Sequence, residues 1–509
     1  MLDAEASYKA LQARDERFDG RLFVGVTSTG VYCRPVCPAR PAKFENCRFF
    51  PSAAAAQTAG FRPCLRCRPE MAPHPGAWRG GWKGSLNTVS RGLALIADGA
   101  LDGEGANVSA LAERLGVSER QLRRLFLRHL GASPIAVAQT RRVLFAKQLI
   151  HDTRMPMAEI ALAAGYGSLR RFNESFQRLY RRPPSALRRE QSAKSTGNGE
   201  TGVTFRLRYR PPYDWTAVLT HLRARAIDGV ERVSADAYFR TVRHDGEVGT
   251  IEVRHSPNAH SLAVTIRFPN VRALSAIVSR VRKIFDLTAD VSTIGSHLRR
   301  DPLLYPLVSA RPGLRVPGSG EGFEAGVRAV LGQQISLQAA RRLGAVLVQT
   351  CGAALPVDAR DPDGPFRVFP GPREVAAADL SNLPMPNARK LALAALSRAA
   401  LDDPLLFERA ETLEAAVARL ASIPGVGEWT AQTIALRAAG EPDAFPDGDA
   451  GLQRAVALFA GKTMSRAALR ARAEAWRPWR AYAAQHLWSA ETRGRSSLDD
   501  QGESSTESE

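Results

Sequence analysis

Apolar residues recur with a helical period along most of the chain and alternate with a strand period in one stretch. Leu122, Leu125, Phe126 and Leu130 follow the spacing of the buried stripe of an amphipathic helix. From residue 204 to residue 268, the runs FRLRYR, IEVRHS and SLAVTIRF alternate apolar and polar positions, which predicts half-buried strands. The pattern therefore predicts a multidomain, mainly α-helical chain with one α+β segment.

The length of 509 residues predicts several domains, at the usual ~100–200 residues each. Two stretches, Pro73–Ser85 and Arg189–Gly202, are typical linkers because they are rich in glycine, proline or small polar residues. The predicted segments are a small α/β domain in 1–78, a helix-turn-helix domain in 85–190, an α+β domain in 203–310, an all-helical domain in 311–495 and a disordered, acidic tail in 496–509.

Two segments carry the pattern of a helix-turn-helix unit. In the first, Ser118 and Gln121 form a capping box before the apolar stripe, and in the second Ser168 is the expected N-cap. The residues expected to face inward in the second unit are Leu169, Phe172, Phe176 and Leu179. Because the second helix of such a unit enters the major groove, residues at its start are candidate base readers. These are Ser118, Arg120, Arg123, Ser168, Arg170 and Arg171. The alternative is an ordinary helical bundle with solvated arginines.

The charge of the chain favours a nucleic-acid partner. Lysine and arginine number 70 against 51 aspartate and glutamate residues, which gives a net charge of +19. A basic surface attracts DNA phosphates, although a high arginine content can also reflect genomic base composition. The N-terminal residues lack the apolar core of a signal peptide, and no stretch reaches the ~20 apolar residues of a membrane span. We therefore expect a soluble, cytoplasmic protein with no membrane partner.

Four of the six cysteines lie in two close pairs, Cys33 with Cys37 and Cys64 with Cys67. Paired cysteines separated by a loop can converge as four thiolates on one Zn²⁺, so we expect one zinc ion per chain in the first domain. Two roles stay open at this point. The zinc can be purely structural, or a zinc-bound thiolate can act as a nucleophile because the metal keeps it deprotonated. Cys47 and Cys351 have no assigned role.

The all-helical segment contains the turn Pro424–Gly427 between apolar flanks, within LASIPGVGEWTA. Glycines in a hairpin between two helices let backbone N–H groups grip a phosphate, so Gly425 and Gly427 are candidate DNA contacts. Asp449 follows about twenty residues later, in FPDGDAGLQRA. Taken alone, the turn can be an ordinary glycine turn, and a loop aspartate is usually a turn former or a helix cap.

The first two domains resemble a known family. TSTGVYCRPVCPAR, NCRFF and AGFRPCLRCRPE are similar to the N-terminal domain of the adaptive-response regulator Ada, and 85–190 resembles an AraC-type DNA-binding domain, including YRRPPSALRRE. The resemblance implies irreversible methyl transfer from DNA methylphosphotriesters to Cys33, with Cys37, Cys64 and Cys67 as the other zinc ligands. It also implies sequence-specific transcriptional activation, with promoter DNA and RNA polymerase as partners. A PCHR-type motif is missing after residue 190, so repair of 6-O-methylguanine is not expected.

The rest of the chain, about 203–495, resembles 3-methyladenine DNA glycosylase II (AlkA) of the helix-hairpin-helix superfamily. The matching segments are RPPYDWTAVLTHLRARAIDGVE, ARPGLRVPG, FEAGVRAVLGQQIS and RPWRAYAAQHLW. This resemblance implies hydrolytic excision of alkylated bases from double-stranded DNA, with Asp449 as the catalytic carboxylate and Asp447 as a supporting residue. Trp429 and Trp488 would be base-pocket residues, whereas Trp476 and Trp479 are expected in the core.

The chain departs from the glycosylase pattern at two positions. Gln334 stands where the family inserts a leucine into the duplex, and Thr433 stands at a pocket position that is tyrosine in the family. Trp429 occupies the place of the Schiff-base lysine of lyase-competent relatives, so a monofunctional enzyme is expected. Two competing hypotheses are a regulator whose glycosylase fold only binds DNA, and a glycosylase that its front half merely tethers to DNA.

Overall fold

The computed structural model describes residues 3–73, 85–103, 106–188, 202–356 and 364–503, with the side chains of 492–503 left aside. Both predicted linkers fall largely outside these ranges. The chain forms two compact units. The first contains the chain up to Arg210 together with Phe239–Arg282, and the second contains Pro211–Tyr238, Lys283–Pro356 and the C-terminal part. The segment 203–310 thus contributes to both units.

Residues 3–73 contain a four-stranded sheet and two α-helices. The elements are α1 (Ala4–Gln12), β1 (Phe23–Val26), β2 (Val31–Cys33), β3 (Cys47–Phe50), α2 (Ala53–Thr58) and β4 (Arg62–Pro63). The strand order is β3-β1-β2-β4, with β1 antiparallel to β2 and β3, and β2 parallel to β4. Phe23, Tyr32, Ala56 and Phe61 form a small buried cluster against this sheet.

The next part of the first unit is all-helical. Its elements are α3 (Ser85–Ala97), α4 (Val108–Arg114), α5 (Glu119–Leu130), α6 (Pro134–Asp152), α7 (Met157–Ala163) and α8 (Leu169–Tyr180). The stripe predicted on α5 is confirmed, since Leu122, Leu125, Phe126 and Leu130 are all buried. On α8, Phe172 and Phe176 are buried as predicted. The prediction for Leu169 is wrong: it is 45% exposed, and Tyr180 completes the buried stripe instead.

The α+β segment follows. Its elements are β5 (Val203–Arg208), α9 (Trp215–Arg225), β6 (Glu231–Val233), β7 (Ala237–His244), β8 (Glu247–Ser256), β9 (Ser261–Arg267), α10 (Leu274–Ile284), α11 (Val291–Leu298) and α12 (Tyr305–Ala310). The sheet order is β5-β9-β8-β7-β6, and β9 is antiparallel to both β5 and β8. Val264 on β9 lies opposite Phe205 and Val253, which agrees with the predicted alternation of apolar positions.

The remaining elements belong to the second unit and are helical. They are α13 (Gly322–Leu331), α14 (Leu337–Cys351), α15 (Pro372–Ala377), α16 (Asn387–Asp402), α17 (Leu413–Ala421), α18 (Glu428–Ile434), α19 (Ala450–Ala460), α20 (Arg466–Ala473) and α21 (Arg480–Glu503). Helix α13 is buried from Phe323 to Leu331 apart from Arg328, and α14, α16, α17 and α18 pack in the same core. Helix α21 continues past residue 495, where the sequence predicted the start of a disordered tail.

The expected multidomain, mainly helical fold with two small sheets is therefore present. Trp476 and Trp479 are buried, as expected for core residues. Within the described ranges, no helix is both long and apolar enough to cross a membrane.

A buried ion pair joins α6 to the segment that carries the second cysteine pair. The Lys147 ammonium donates to Glu70 at 2.7 Å and to the carbonyl oxygen of Cys64 at 3.0 Å, and both charged side chains are at most 1% exposed. Arg68 donates to the other oxygen of Glu70 at 2.9 Å and to Asp152 at 2.8 Å. The helical part and the cysteine part of the first unit are therefore connected by matched charges.

We predict that Lys147→Met lowers the free energy of unfolding of the first unit by about 3 kcal/mol, because it leaves Glu70 buried with only Arg68 as partner. Scanning calorimetry measures this. The control is Lys43→Met, which removes one side of the exposed pair with Glu45 and should change stability by less than about 1 kcal/mol. Equal losses in the free energy of unfolding for the two substitutions would show that the buried pair contributes no more to stability than the exposed pair.

Candidate functional site

The four paired cysteines come together because of strand pairing in the N-terminal sheet. Cys33 ends β2, and Cys64 directly follows β4, which runs parallel to β2 with Tyr32 opposite Pro63. The Cys64 N–H donates to the carbonyl oxygen of Tyr32 at 3.0 Å, so the ends of strands β2 and β4 lie side by side. Cys37 and Cys67 follow in the adjoining turns, and the four sulfur atoms lie within 4.8 Å of one another.

This donor set fits a zinc ion. Four thiols at such separations can be ligands of one tetrahedral Zn²⁺, the usual arrangement for four-cysteine sites. Two backbone N–H groups already point at sulfur: Arg34 donates to Cys67 Sγ at 3.4 Å and Arg66 to Cys64 Sγ at 3.3 Å. The hydrogen bond with Cys33 is the main cause that lowers the pKa of the Cys37 thiol to about 7. Among the described residues, Cys47 and Cys351 lie outside this cluster.

The four cysteines differ in exposure. Cys37, Cys64 and Cys67 are 5–7% exposed, whereas Cys33 is half-buried. Of the four cysteines of the cluster, Cys33 is therefore the residue with the largest exposed fraction. Exposure of this kind separates the reactive from the structural cysteines of a site.

A buried guanidinium lies directly behind the cluster. Arg34, between the first two cysteines, forms an ion pair with Asp19 through two hydrogen bonds and donates to the carbonyl oxygen of Cys67 at 3.0 Å. The side chains of both charged partners are at most 6% exposed. The pairing keeps a positive charge next to sulfur atoms that become thiolates when they bind a metal. Asp19 was missed in the sequence because it lies fifteen residues from Arg34, outside any motif.

The candidate base readers of the helix-turn-helix units lie at the starts of α5 and α8. Ser118 and Ser168 are the N-caps, and their hydroxyl oxygens accept the N–H of Gln121 at 3.2 Å and of Arg171 at 3.3 Å. The other candidates, Arg120, Arg123, Arg170 and Arg171, are exposed. Arg123 is paired with Glu119, and Arg170 is paired with Glu174 at 2.8 Å. Both helices thus present guanidinium groups at their first turns.

The hairpin between α17 and α18 is built around Gly425, whose φ is +83°. A Cβ at this position would lie 2.4 Å from the Cβ of Ala392, so only glycine fits. At Gly427 a Cβ would meet nothing within 4 Å, so its small size serves no contact within the protein. Gly427 is also the N-cap of α18, where backbone N–H groups face outward.

The two glutamines of the Gln333–Gln334 pair behave differently. The Gln333 side chain donates to the carbonyl oxygen of Gly425 at 2.9 Å and to Thr430 Oγ1 at 3.0 Å, which ties it to the hairpin. Gln334 is exposed and has a φ of +56°. Gln334 therefore lies exposed in the left-handed turn between α13 and α14, whereas Gln333 is tied to the hairpin.

Asp449 is held by three hydrogen bonds at the start of α19. It is the N-cap, and its Oδ1 accepts the N–H of Leu452 at 3.0 Å. The two indole groups named as pocket candidates donate to the same carboxylate, Trp488 Nε1 to Oδ1 at 2.8 Å and Trp429 Nε1 to Oδ2 at 3.2 Å. The structure thus brings Asp449, Trp429 and Trp488 into one constellation, although the last of them lies thirty-nine residues from the aspartate.

Asp447 anchors the loop that carries Asp449. Its carboxylate forms ion pairs with Arg466 and Arg470 of α20, and both arginines also pair with Glu428. Burial raises the pKa of Asp447, but the hydrogen bonds from the two arginines outweigh burial and leave it below the ordinary value. Thr433 lies one turn after Trp429 on α18, and its hydroxyl donates to the Trp429 carbonyl at 2.9 Å. Thr433 leaves more room beside Trp429 than a tyrosine would.

Arg225 and Arg437, to which the sequence analysis assigned no role, also interact with this site. Arg437 lies over the Trp488 ring, with its central carbon 5.4 Å from the ring centroid. The Asp449 charge raises the pKa of both arginines, against the larger opposing effect of burial. They come from α9 and from the turn after α18, so only the folded chain brings them together.

Three family descriptions match parts of the chain. They are the metal binding domain of Ada over residues 6–70, a helix-turn-helix domain over 111–190 and the AlkA N-terminal domain over 204–321. The first match contains all four clustered cysteines, and the second contains both units whose helices start at Ser118 and Ser168. The cofactor of the N-terminal site is therefore zinc, one ion for the four cysteines.

Similar proteins cover nearly the whole chain. A protein from Mycobacterium tuberculosis named as a probable bifunctional transcriptional activator/DNA repair enzyme AlkA is 40% identical over 490 residues, which is 96% of each chain. DNA-3-methyladenine glycosylase 2 of Escherichia coli is 35% identical over 291 residues, 56% of this chain and 97% of that one. A solved 3-methyladenine DNA glycosylase from Archaeoglobus fulgidus shares the fold with a TM-score of 0.50 at 20% identity, covering 57% of this chain and 98% of its own.

We predict different results for alanine at the two hairpin glycines. Gly425→Ala should destabilise the second unit by about 1–3 kcal/mol, because alanine is strained at this φ and clashes with Ala392. Gly427→Ala should leave stability within about 0.5 kcal/mol of the parent. It should nevertheless weaken duplex binding, because its methyl group would occupy space next to the outward-facing N–H groups.

Calorimetry and fluorescence anisotropy with a duplex oligonucleotide measure the two effects. Unchanged DNA affinity of a correctly folded Gly427→Ala variant would contradict phosphate binding by the hairpin.

Proposed function

Because the chain belongs to the family of bifunctional transcriptional activator and DNA repair proteins of the AlkA type, we propose that its C-terminal half is a monofunctional glycosylase that releases 3-methyladenine-type bases. The chain as a whole acts in DNA repair and in transcription regulation, and DNA is its partner. The finer assignments concern the substrate, the residues that act on it and the coupling between the two activities.

The observation that carries the glycosylase proposal is the fixed carboxylate of Asp449. Three N–H donors from Leu452, Trp429 and Trp488 hold it at the start of α19. Asp449 is nevertheless only half-buried, so a nucleotide flipped out of the duplex can approach it. A carboxylate held in place before the reaction needs no reorganisation when charge develops beside it.

Hydrolysis breaks the bond between sugar C1′ and the base nitrogen, and the electron pair leaves with the base. The sugar acquires oxocarbenium character, which a neighbouring carboxylate stabilises. At ~4 Å and an effective dielectric constant of ~20, this attraction is worth about 4 kcal/mol, or roughly a thousandfold in rate. Water then adds to C1′ and loses its proton, leaving an abasic site. Trp429 and Trp488 supply ring faces on which an alkylated, cationic base can stack.

The product is an abasic site and not a cleaved strand because the amine needed for lyase chemistry is replaced. Trp429 stands at the place of the Schiff-base lysine in lyase-competent relatives, and an indole nitrogen cannot form that adduct. Its N–H instead donates to Asp449. The same residue therefore orients the carboxylate and removes the covalent route.

For the N-terminal half, we propose methyl transfer from a DNA methylphosphotriester to Cys33. The oxygen–carbon bond of the triester breaks, a sulfur–carbon bond forms at Cys33, and the phosphodiester leaves as an anion. Bound zinc would supply the chemistry of a stabilised thiolate. Cys33 is half-buried as a residue whereas the other three ligands are buried, which supports this choice of acceptor.

Methylation would then act on DNA binding through charge. A thioether at Cys33 carries one negative charge less than a thiolate, so repulsion between the cluster and DNA phosphates falls. The exposed arginines of α5 and α8 would read promoter DNA in successive major-groove segments. We propose that RNA polymerase is the partner of the methylated protein when it is bound to promoter DNA.

We predict that Asp449→Asn lowers the release of 3-methyladenine and 7-methylguanine about a thousandfold, because the amide keeps the helix cap but loses the charge. Release from methylated duplex DNA is measured by chromatography of the freed bases, with calorimetry to show that the variant is folded. Asp447→Asn serves as the comparison, and its release of the two bases should fall by a smaller factor. Full activity of Asp449→Asn would remove Asp449 from the mechanism.

We predict that incubation with methylphosphotriester-containing DNA adds one methyl group to the zinc-loaded chain, on the peptide that contains Cys33. Peptide mass spectrometry measures the addition, and Cys47→Ser should not affect it because Cys47 lies outside the cluster. Cys33→Ser should abolish the addition. A methyl group found on Cys37, Cys64 or Cys67 instead would show that exposure does not select the acceptor.

A further inference from the structure

Arg437 is half-buried and lies beside the residues of the proposed glycosylase pocket, unlike the exposed arginines of the surface. Its guanidinium donates to the carbonyl oxygen of Pro317 at 2.7 Å and to Gln485 Oε1 at 3.2 Å. These bonds hold it over one face of Trp488, whose indole N–H in turn donates to Asp449. A base bound next to Trp488 and Asp449 therefore lies near a positive charge that is fixed in place.

Arg225 brings a second positive charge to the same place. Its guanidinium donates to the carbonyl oxygen of His221 at 3.3 Å and interacts electrostatically with Asp449, Arg328 and Arg437. Burial is the main cause that lowers the pKa of Arg225 to about 10 and that of Arg437 to about 9, so both remain protonated at neutral pH. Burial and the nearby arginines hold the pKa of His221 well below its ordinary value, so this ring is neutral.

The charges around the pocket therefore do not cancel. Asp449 interacts electrostatically with both guanidinium groups, whereas the nearby carboxylates of Asp447 and Glu428 are paired with Arg466 and Arg470. A pocket designed only to attract cationic bases would use aromatic faces without added cations. Two protonated arginines instead penalise a base that carries a positive charge while it binds.

We propose that Arg437, together with Arg225, determines specificity by setting the balance between cationic and uncharged bases in the pocket. This inference rests on the proposed glycosylase function and names residues that tune it. Breaking the glycosidic bond moves an electron pair onto the base. A cationic base then becomes neutral, whereas an uncharged base becomes an anion unless a proton reaches it.

The two guanidinium groups thus affect the two classes of base at different stages. A cationic base is repelled when it binds, and this repulsion disappears as the bond breaks, so the arginines weaken binding but assist the chemical step. An uncharged base is not repelled on binding, and the anion that develops is attracted, so kcat/KM rises. Loss of the positive charge should therefore change kcat/KM differently for the two classes of base. Loss of packing alone should change kcat/KM for both classes alike.

The experiment uses the purified full chain and two duplexes, one with a single 7-methylguanine and one with a single hypoxanthine at the same position. In Arg437→Gln, the ratio of kcat/KM for hypoxanthine to that for 7-methylguanine should fall about tenfold. The KM for 7-methylguanine should fall together with its kcat. Arg437→Lys keeps the positive charge and should keep the ratio within about twofold of the parent.

A matched control is Arg419→Gln, which removes a guanidinium that also donates to two carbonyl oxygens, those of Leu406 and Glu408. It should leave the ratio unchanged. If Arg437→Gln fails to fold by calorimetry, Arg225→Gln provides the second test and should shift the ratio in the same direction.

Equal losses on both duplexes in Arg437→Gln, or in Arg225→Gln where that variant is used, would overturn the inference and reduce these arginines to structural roles. Failure of Arg437→Lys to restore the ratio would overturn it as well. The glycosylase proposal would survive either result. Excision of neither base by the parent chain would instead contradict the glycosylase proposal itself, and the inference with it.

Discussion

A charge removed from water must be matched by opposite charge or by hydrogen bonds, and this constraint shapes both chemical centres of the chain. Behind the cysteine cluster, Arg34 is matched by Asp19, and Lys147 by Glu70. At the glycosylase site, Asp447 is matched by two arginines of α20. Because each partner comes from a different element, satisfying the charges also fixes where those elements lie.

Asp449 obeys the same constraint in another way. Its oxygens are bound by a backbone N–H and two indole N–H groups, none of which carries a charge. Neutral donors hold the carboxylate in place without forming an ion pair with it, which in the proposed reaction would leave its negative charge available for a developing oxocarbenium ion. Asp447, two residues away, is fully paired and serves to anchor the loop. Two neighbouring aspartates thus acquire different roles from their partners alone.

The two halves solve related problems with different reactive groups. In the proposed reactions, the N-terminal centre offers sulfur, which would form a lasting bond to carbon and be consumed. The C-terminal centre offers a carboxylate, which would stabilise charge and be regenerated. In the first unit, the buried ion pair between Lys147 and Glu70 connects the cysteine segment to α6 of the helix-turn-helix region. A sensor and a reader held by such a link suit a protein that reports the damage it encounters.

The sequence predicted features that depend on residues close together in the chain, but it did not predict which distant residues come into contact. The cysteine pairs, the Ser118 and Ser168 caps and the glycine hairpin each depend on residues a few positions apart, where spacing alone sets the geometry. Resemblance to known families added Asp449, Trp429 and Trp488. The contacts that were missed join distant residues, such as Lys147 with Glu70 across seventy-seven positions. Leu169 was misassigned because a helical period names a stripe but not its edges, and Tyr180 took the buried place.

The arginines around the glycosylase pocket are a further example of distant residues whose proximity the sequence did not predict. Arginine is abundant in this chain, so no pattern distinguishes Arg225 and Arg437 from the arginines of the surface. What distinguishes them is their electrostatic interaction with Asp449 and, for Arg437, its position over the Trp488 ring, which both depend on how α9 and the segment after α18 pack. The sequence by itself determined which reactive groups the chain carries. Only the tertiary structure decided which charges surround them, because electrostatic energy depends on distance and burial and not on order along the chain.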